Sequence, residues 1–183
     1  MSQKYNNNLM AIAIILVLGI IFQFGYNNIV KNFTSANNNQ PNSEYDYVKV
    51  ARVVDGDTIE LEDGRIVRYI GINTPETVNP NILVQCYGNE ASAKNRELVE
   101  GKNVKLMPDI SDKDKYGRLL RYVYLEDNTF VNLLLIESGF AFSSLYAPDI
   151  KYQNQFNAAE KEAKDGKKGL WSPDTCNGEL KEL

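Results

Sequence analysis

Apolar and polar residues alternate loosely from Tyr47 to Val54, and again through Thr58–Leu61 and Arg65–Ile72. A two-residue period sends successive side chains to opposite faces, so these three runs predict strands. Glu62-Asp63-Gly64 joins the second to the third as a hairpin turn. The period then lengthens. Gly88 to Glu100 predicts a helix with Asn89 as its cap and Gly101 as its stop. Asn103–Met107 and Arg118–Leu125 predict a fourth and a fifth strand, the latter after the turn Asp114-Lys115-Tyr116-Gly117. Val131–Ser138 predicts a short apolar helix ended by Gly139. The spacing of Tyr152, Phe156, Ala159 and Ala163 predicts a last helix that runs to Asp165 and stops at Gly166. Gly169-Leu170-Trp171 is expected to pack back on the core.

Three strands, a helix, two strands and two helices is an α+β order. Five short strands with a helix after the third predict an OB-fold five-stranded β-barrel with three helices, an architecture that binds oligonucleotides or oligosaccharides. The third strand holds an anomaly. Ile66, Arg68, Ile70 and Ile72 fall on one face, which places an arginine among apolar residues. A buried arginine without a partner is costly, so Arg68 is expected to meet an anion or to open into a cleft.

Before the barrel, residues 9–26 carry no charge and Gln23 as the one polar side chain. That run is about long enough to cross a bilayer as a helix. It predicts a transmembrane anchor behind a short leader, residues 1–8. The alternative is a signal segment cleaved near Thr34-Ser35-Ala36 and a secreted product. Residues 27–44, rich in Asn, Ser and Pro, read as a flexible tether. The folded domain is expected over 45–175, outside the cytoplasm, with a tail at 176–183. Cys86 precedes the first predicted helix and Cys176 lies in the tail. In an oxidising compartment they read as one disulfide fastening the tail; otherwise they are two separate thiols.

Composition removes several chemistries. There is no histidine among the 183 residues, so histidine-based nucleophile activation and His-ligated zinc are excluded. Two cysteines cannot build a four-thiolate zinc site. A metal must then be held by oxygen, which points to calcium or magnesium. The net charge is −4, and the first 40 residues contribute Lys4 and Lys31 with no acid. The domain is therefore acidic, which argues against bulk electrostatic capture of nucleic acid but not against a locally basic cleft.

Against that background, residues gathered near the strand ends carry the chemistry. Asp57 leaves a tight turn after Gly56, and Asn73-Thr74-Pro75-Glu76 closes the third strand. Proline limits the backbone there and gives Glu76 a defined direction. Arg68 and Arg118 add two guanidinium groups. This set suits phosphodiester hydrolysis: a hard cation at a phosphate oxygen, a carboxylate that takes a proton from water, and arginines for the charge that develops on phosphorus. Each piece alone is ordinary turn or strand chemistry; the combination in this order is specific.

The signatures VVDGDTIEL, RYIGINTPET, YGNEAS, DKYGR and GLWS, in this order and at these separations, resemble the staphylococcal nuclease (thermonuclease) family over about residues 47 to 172. The resemblance implies an OB barrel with three helices, a monomer, and calcium-dependent cleavage of single- or double-stranded DNA and RNA with 3′-phosphate products. It implies that Asp57 and the Thr74 carbonyl are calcium ligands, that Glu76 is the general base, and that Arg68 and Arg118 bind phosphate. Lys115, Tyr116 and Tyr146 match groups that hold the nucleotide. Asn73 stands where the family's ligand set has a second aspartate. An asparagine keeps the oxygen and loses the charge, so a weaker calcium site is expected. That departure leaves a second reading: an OB-fold nucleic-acid-binding module whose catalysis is weakened.

Overall fold

The computed structural model describes residues 47–78 and 83–180. The expected leader, anchor and tether lie outside the described residues, among which no helix is long and apolar enough to cross a membrane. β1 (Tyr47–Asp55), β2 (Thr58–Leu61), β3 (Ile66–Tyr69), β5 (Asn103–Met107) and β6 (Leu119–Leu125) close a barrel in the order β1-β2-β3-β6-β5. β1 serves two neighbours by bending: Tyr47–Lys49 pairs with β5, and Val50–Asp55 pairs with β2 through two register shifts. β3 and β6 run parallel, and the other barrel pairs are antiparallel. Three helices complete the domain: α1 (Gly88–Val99), α2 (Val131–Glu137) and α3 (Gln153–Asp165). A closed five-stranded barrel with three helices is consistent with the OB-fold expected from the element order.

The core follows the two-residue period. Val50, Ile59, Val67, Tyr69, Val104 and Val123 point inward and are almost fully buried. Beneath the barrel, Phe156 and Ala159 of α3 pack with Leu135 and Ile136 of α2, and Leu170 of a 3-10 turn (Gly169–Trp171) joins the buried set. Tyr122 is buried at 1% exposure and Tyr124 stacks on Phe130 at 4.5 Å, so neither forms an exposed aromatic stripe. Cys86 and Cys176 are joined by a disulfide with their Cα atoms 5.9 Å apart.

Three expectations are corrected. The predicted third strand Arg65–Ile72 is two strands, because the chain turns at Gly71 with φ of 77°. A side chain there would strike the Phe156 ring at 2.5 Å. β4 (Ile72–Asn73) therefore leaves the barrel and pairs with β7 (Phe142–Ser143). The face assignment changes with it. Val67 and Tyr69 are the inward residues of β3, while Ile66 and Arg68 share the partly exposed outer face. The Ile70 carbonyl, stranded by the turn, accepts from Nδ2 of buried Asn132 at 2.9 Å. Finally, Asn89 does not cap α1: the cap position is Tyr87, in the left-handed region at φ 68°, with no side-chain cap bond.

Candidate active site

The DGD turn between β1 and β2 begins the site. The Asp55 carboxylate accepts the Asp57 amide at 3.0 Å, an Asx-type closure that fixes the turn. Gly56 lies against Thr74: a Cβ added there would sit 2.5 Å from Thr74 Oγ1. This close approach lets Asp57 Oδ2 accept from both the Thr74 amide, at 2.8 Å, and its hydroxyl, at 3.1 Å. Asp57 is thus buried, with 4% exposure, and joins the end of β1 to the segment after β4.

Arg68 closes the other side. Its Nη1 meets Asp57 Oδ1 at 2.9 Å and the Tyr69 carbonyl at 3.1 Å, and Nη2 donates to Asn73 Oδ1 at 3.0 Å. The expected anionic partner is therefore Asp57. Glu76 is held differently from the reading that gave the task to Pro75. Its Oε1 accepts the Thr77 and Val78 amides, both at 2.8 Å. Its own amide donates to the Gln85 side chain at 2.8 Å. Arg118 lies just before β6, not within it, and Asp114 orders it: Arg118 Nε donates to Asp114 Oδ2 at 2.7 Å, and Asp114 Oδ1 accepts the Tyr116 and Arg118 amides.

Asp55, Asp57, Arg68, Asn73, Thr74, Glu76 and Arg118 line one cleft of about 200 Å³. A second pocket of about 350 Å³ shares Arg68, Asn73 and Arg118 with it and adds Lys115, Tyr116, Ser144 and Tyr146. Every residue expected at the site thus borders one of these two connected spaces, except the cysteines, which are structural. The second pocket is walled by two loops clasped by carboxylates. Asp149 Oδ1 accepts the Ser111 amide at 2.7 Å. Asp109 Oδ2 accepts the Tyr122 hydroxyl at 2.8 Å and the Lys151 amide at 3.1 Å.

The cleft gathers oxygen donors of the kind a hard cation takes. Asp57, Asn73 and Thr74 offer a carboxylate, an amide oxygen and a backbone carbonyl, with Asp55 and Glu76 bordering the same space. Among the described residues no group of three or more acidic, cysteine or histidine side chains gathers as a metal cluster. The fit is therefore a mixed all-oxygen site of low charge, chemistry that suits calcium or magnesium with retained water. Arg68 here supplies positive charge to the same two side chains, Asp57 and Asn73.

Four contributors escaped the sequence reading: Asp55, Gln85, Asn95 and the role of Asp114. Asp55 is pushed up to about 7, first by burial and then by the charge of Asp57, with hydrogen bonds and Arg68 opposing. The first D of DGD was the available signal. Gln85 comes from a separate chain segment, and no pattern marks it. Asn95 of α1, fully buried, accepts the Tyr69 hydroxyl at 2.9 Å and donates to the Asp55 carbonyl at 3.1 Å. A polar residue at a buried helix position was its only signal. The Asp114 carboxyl is pushed up by burial, but the Arg118 bond and the backbone amides outweigh this and hold it below its ordinary value.

Comparison with known proteins bears on this geometry. Residues 66–173 match the family described as "Staphylococcal nuclease homologue". A thermonuclease of Staphylococcus hyicus is 45% identical over 127 residues, covering 68% of this chain and 75% of that protein. The endonuclease YncB of Bacillus subtilis (strain 168) is 43% identical over 129 residues, 68% of this chain and 61% of its own. The SPbeta prophage-derived endonuclease YokF of the same strain is 45% identical over 129 residues, but the match covers only 44% of that longer protein. With the matched span running from β3 past the last helix, through both arginines and Glu76, the chain belongs to the staphylococcal nuclease family.

Proposed function

We propose that this chain is a calcium-dependent nuclease that hydrolyses phosphodiester bonds of DNA and RNA with low sequence specificity and leaves 3′-phosphate ends. One observation carries the reading: Asp57, Arg68, Asn73, Thr74, Glu76 and Arg118 line a single cleft beside a pocket that suits a nucleotide. Asp57, Asn73 and the Thr74 carbonyl would hold the cation, which when bound supplies charge neutralisation at a phosphate oxygen. Glu76, fixed by two backbone amides, takes the proton from the attacking water. Arg118 and Arg68 donate to the phosphate oxygens as negative charge develops on them. Lys115, Tyr116 and Tyr146 hold the nucleotide beside the reacting bond. Low sequence specificity follows because Arg118 and Lys115 would meet phosphate, a group that every nucleotide carries.

The domain acts outside the cytoplasm, tethered by residues 9–26. The uncharged apolar run, the polar tether after it and the disulfide all support that placement. A second reading, binding without cleavage, is favoured by the neutral Asn73, whose oxygen is engaged by Arg68. The test follows cleavage of single-stranded DNA by the full chain in non-ionic detergent, with calcium, magnesium or a chelator, beside Glu76→Gln. Calcium-dependent cleavage lost in Glu76→Gln is the expected result. No cleavage by the native chain, with recovery in Asn73→Asp, would establish the binding module instead.

A further inference from the structure

A third space lies next to the nucleotide pocket. It measures about 230 Å³ and is framed by the β2–β3 hairpin turn and the loop before β6, with Arg65, Ile66, Lys113, Tyr116 and Gly117 on its walls. Tyr116 and Arg118 border both this space and the nucleotide pocket. Tyr116 therefore stands between the two and is 73% exposed. Lys115 Nζ and the Arg118 guanidinium lie 5.0 and 5.6 Å from its ring centre. An exposed aromatic ring flanked by cations is what a single-stranded polynucleotide uses, since bases stack on the ring and phosphates follow the cations.

We propose that this third space is a subsite for the neighbouring nucleotide of a single-stranded substrate, with Arg65 and Lys113 holding its phosphates and Tyr116 dividing it from the nucleotide at the cleft. The proposal rests on the nucleic-acid reading of the adjoining cleft. The local charges permit it. Arg65 pairs with exposed Asp63, its Nε 2.7 Å from Oδ2, and such surface pairs contribute little and exchange readily. Asp112 sits beside Lys113 but gives its carboxylate to Arg121, at 2.6 Å. Two cations on the wall of a pocket contiguous with the site also resolve a difficulty raised by the net charge of −4. Arg65, Lys113, Lys115 and Arg118 give this part of an acidic chain a local run of cations.

The experiment measures binding, not turnover. Fluorescence anisotropy of labelled oligothymidylates of two and ten nucleotides is followed with the full chain in detergent and a chelator. In the Arg65→Ala/Lys113→Ala double variant, the preference for the ten-mer over the two-mer is expected to fall at least five-fold. The slope of log affinity against log salt for the ten-mer should decrease in magnitude by about 1.4, from roughly 0.7 per lost phosphate contact on a single strand. Asp63→Asn should tighten the ten-mer. An unchanged length preference overturns the subsite. So does an equal loss in Lys161→Ala/Lys167→Ala, which removes the same charge at and beyond the end of α3, because that result would mean general attraction alone. A native chain that binds with this length dependence but cleaves nothing would refute the nuclease reading while leaving the subsite standing.

Discussion

Asn95 lies behind the DGD turn, and its replacement separates structural from functional effects. Both its polar atoms are committed inside the protein, to the Tyr69 hydroxyl at 2.9 Å and the Asp55 carbonyl at 3.1 Å. Asn95 has 0% exposure and Tyr69 has 1%, so water cannot replace either partner. Burial also drives the Tyr69 hydroxyl well above its ordinary pKa, which keeps it a donor. Asn95→Ala leaves the buried Tyr69 hydroxyl unsatisfied, at a cost of about 1–3 kcal/mol, and releases the half-buried Asp55 carbonyl, which adds less. Tyr69→Phe strands only the Asn95 oxygen, about 1–3 kcal/mol. In the double variant neither member of the hydroxyl–amide pair remains to be stranded. Its cost should then fall short of the sum by both groups, about 2–6 kcal/mol. Urea denaturation of the four proteins measures this. Calcium titration of the hydrolysis rate supplies a second readout: half-saturation should shift to higher calcium in Asn95→Ala and much less in Tyr69→Phe, since only Asn95 holds the Asp55 carbonyl. Strictly additive stability changes, or equal calcium shifts, would refute the claim that this chain of bonds positions the DGD turn.

Other outcomes follow from single features. Asn73→Asp adds a charge to the cation site and should tighten calcium at least ten-fold, read by isothermal titration calorimetry. Arg118→Lys loses the planar fork and the Asp114 bond, and should lower kcat about a hundred-fold in a steady-state assay of DNA hydrolysis. The Asp114 carboxyl has a lower pKa in the folded protein than in the unfolded chain. Its contribution is therefore complete above the ordinary carboxylate value of ~3.9 and is lost as pH falls through the lower folded value. Asp114→Asn should flatten that acid limb of the melting temperature against pH. Reduction of Cys86–Cys176, or the Cys86→Ser/Cys176→Ser pair, reopens a long loop and should cost about 4–5 kcal/mol by the chain-entropy argument, read as a lower urea midpoint.

The sequence made the barrel legible because strands with one buried face keep a two-residue period. The boundaries of β2 and β5 were read to the residue. The break at Gly71 was not, because its cause is the Phe156 ring, 85 positions away in the chain. For the same reason Arg68 was placed on the wrong face, though its need for an anion was correctly argued from cost alone. Asp55 apart, the residues that line the candidate cleft were legible as a set, through spacing and family resemblance. Their supports were not. Gln85, Asn95 and Asp114 act on groups brought close by folding or by a turn, and a lone amide or acid in a helix or loop has no pattern that announces a partner.

The disulfide has a topological consequence. Cys86 and Cys176 close a covalent ring that contains α1, β5, β6, α2, β7 and α3. Asp57, Arg68, Asn73, Thr74 and Glu76 all lie on the arm that enters the ring, whereas Arg118 and Tyr146 lie within it. A protease that cuts the exposed loop at Leu145–Tyr146 would therefore release no fragment. The nicked molecule would migrate as one species until a reductant was added, with the arm and the ring still joined. A cut in the ring would damage one wall of the larger pocket without discarding the arm that carries Glu76.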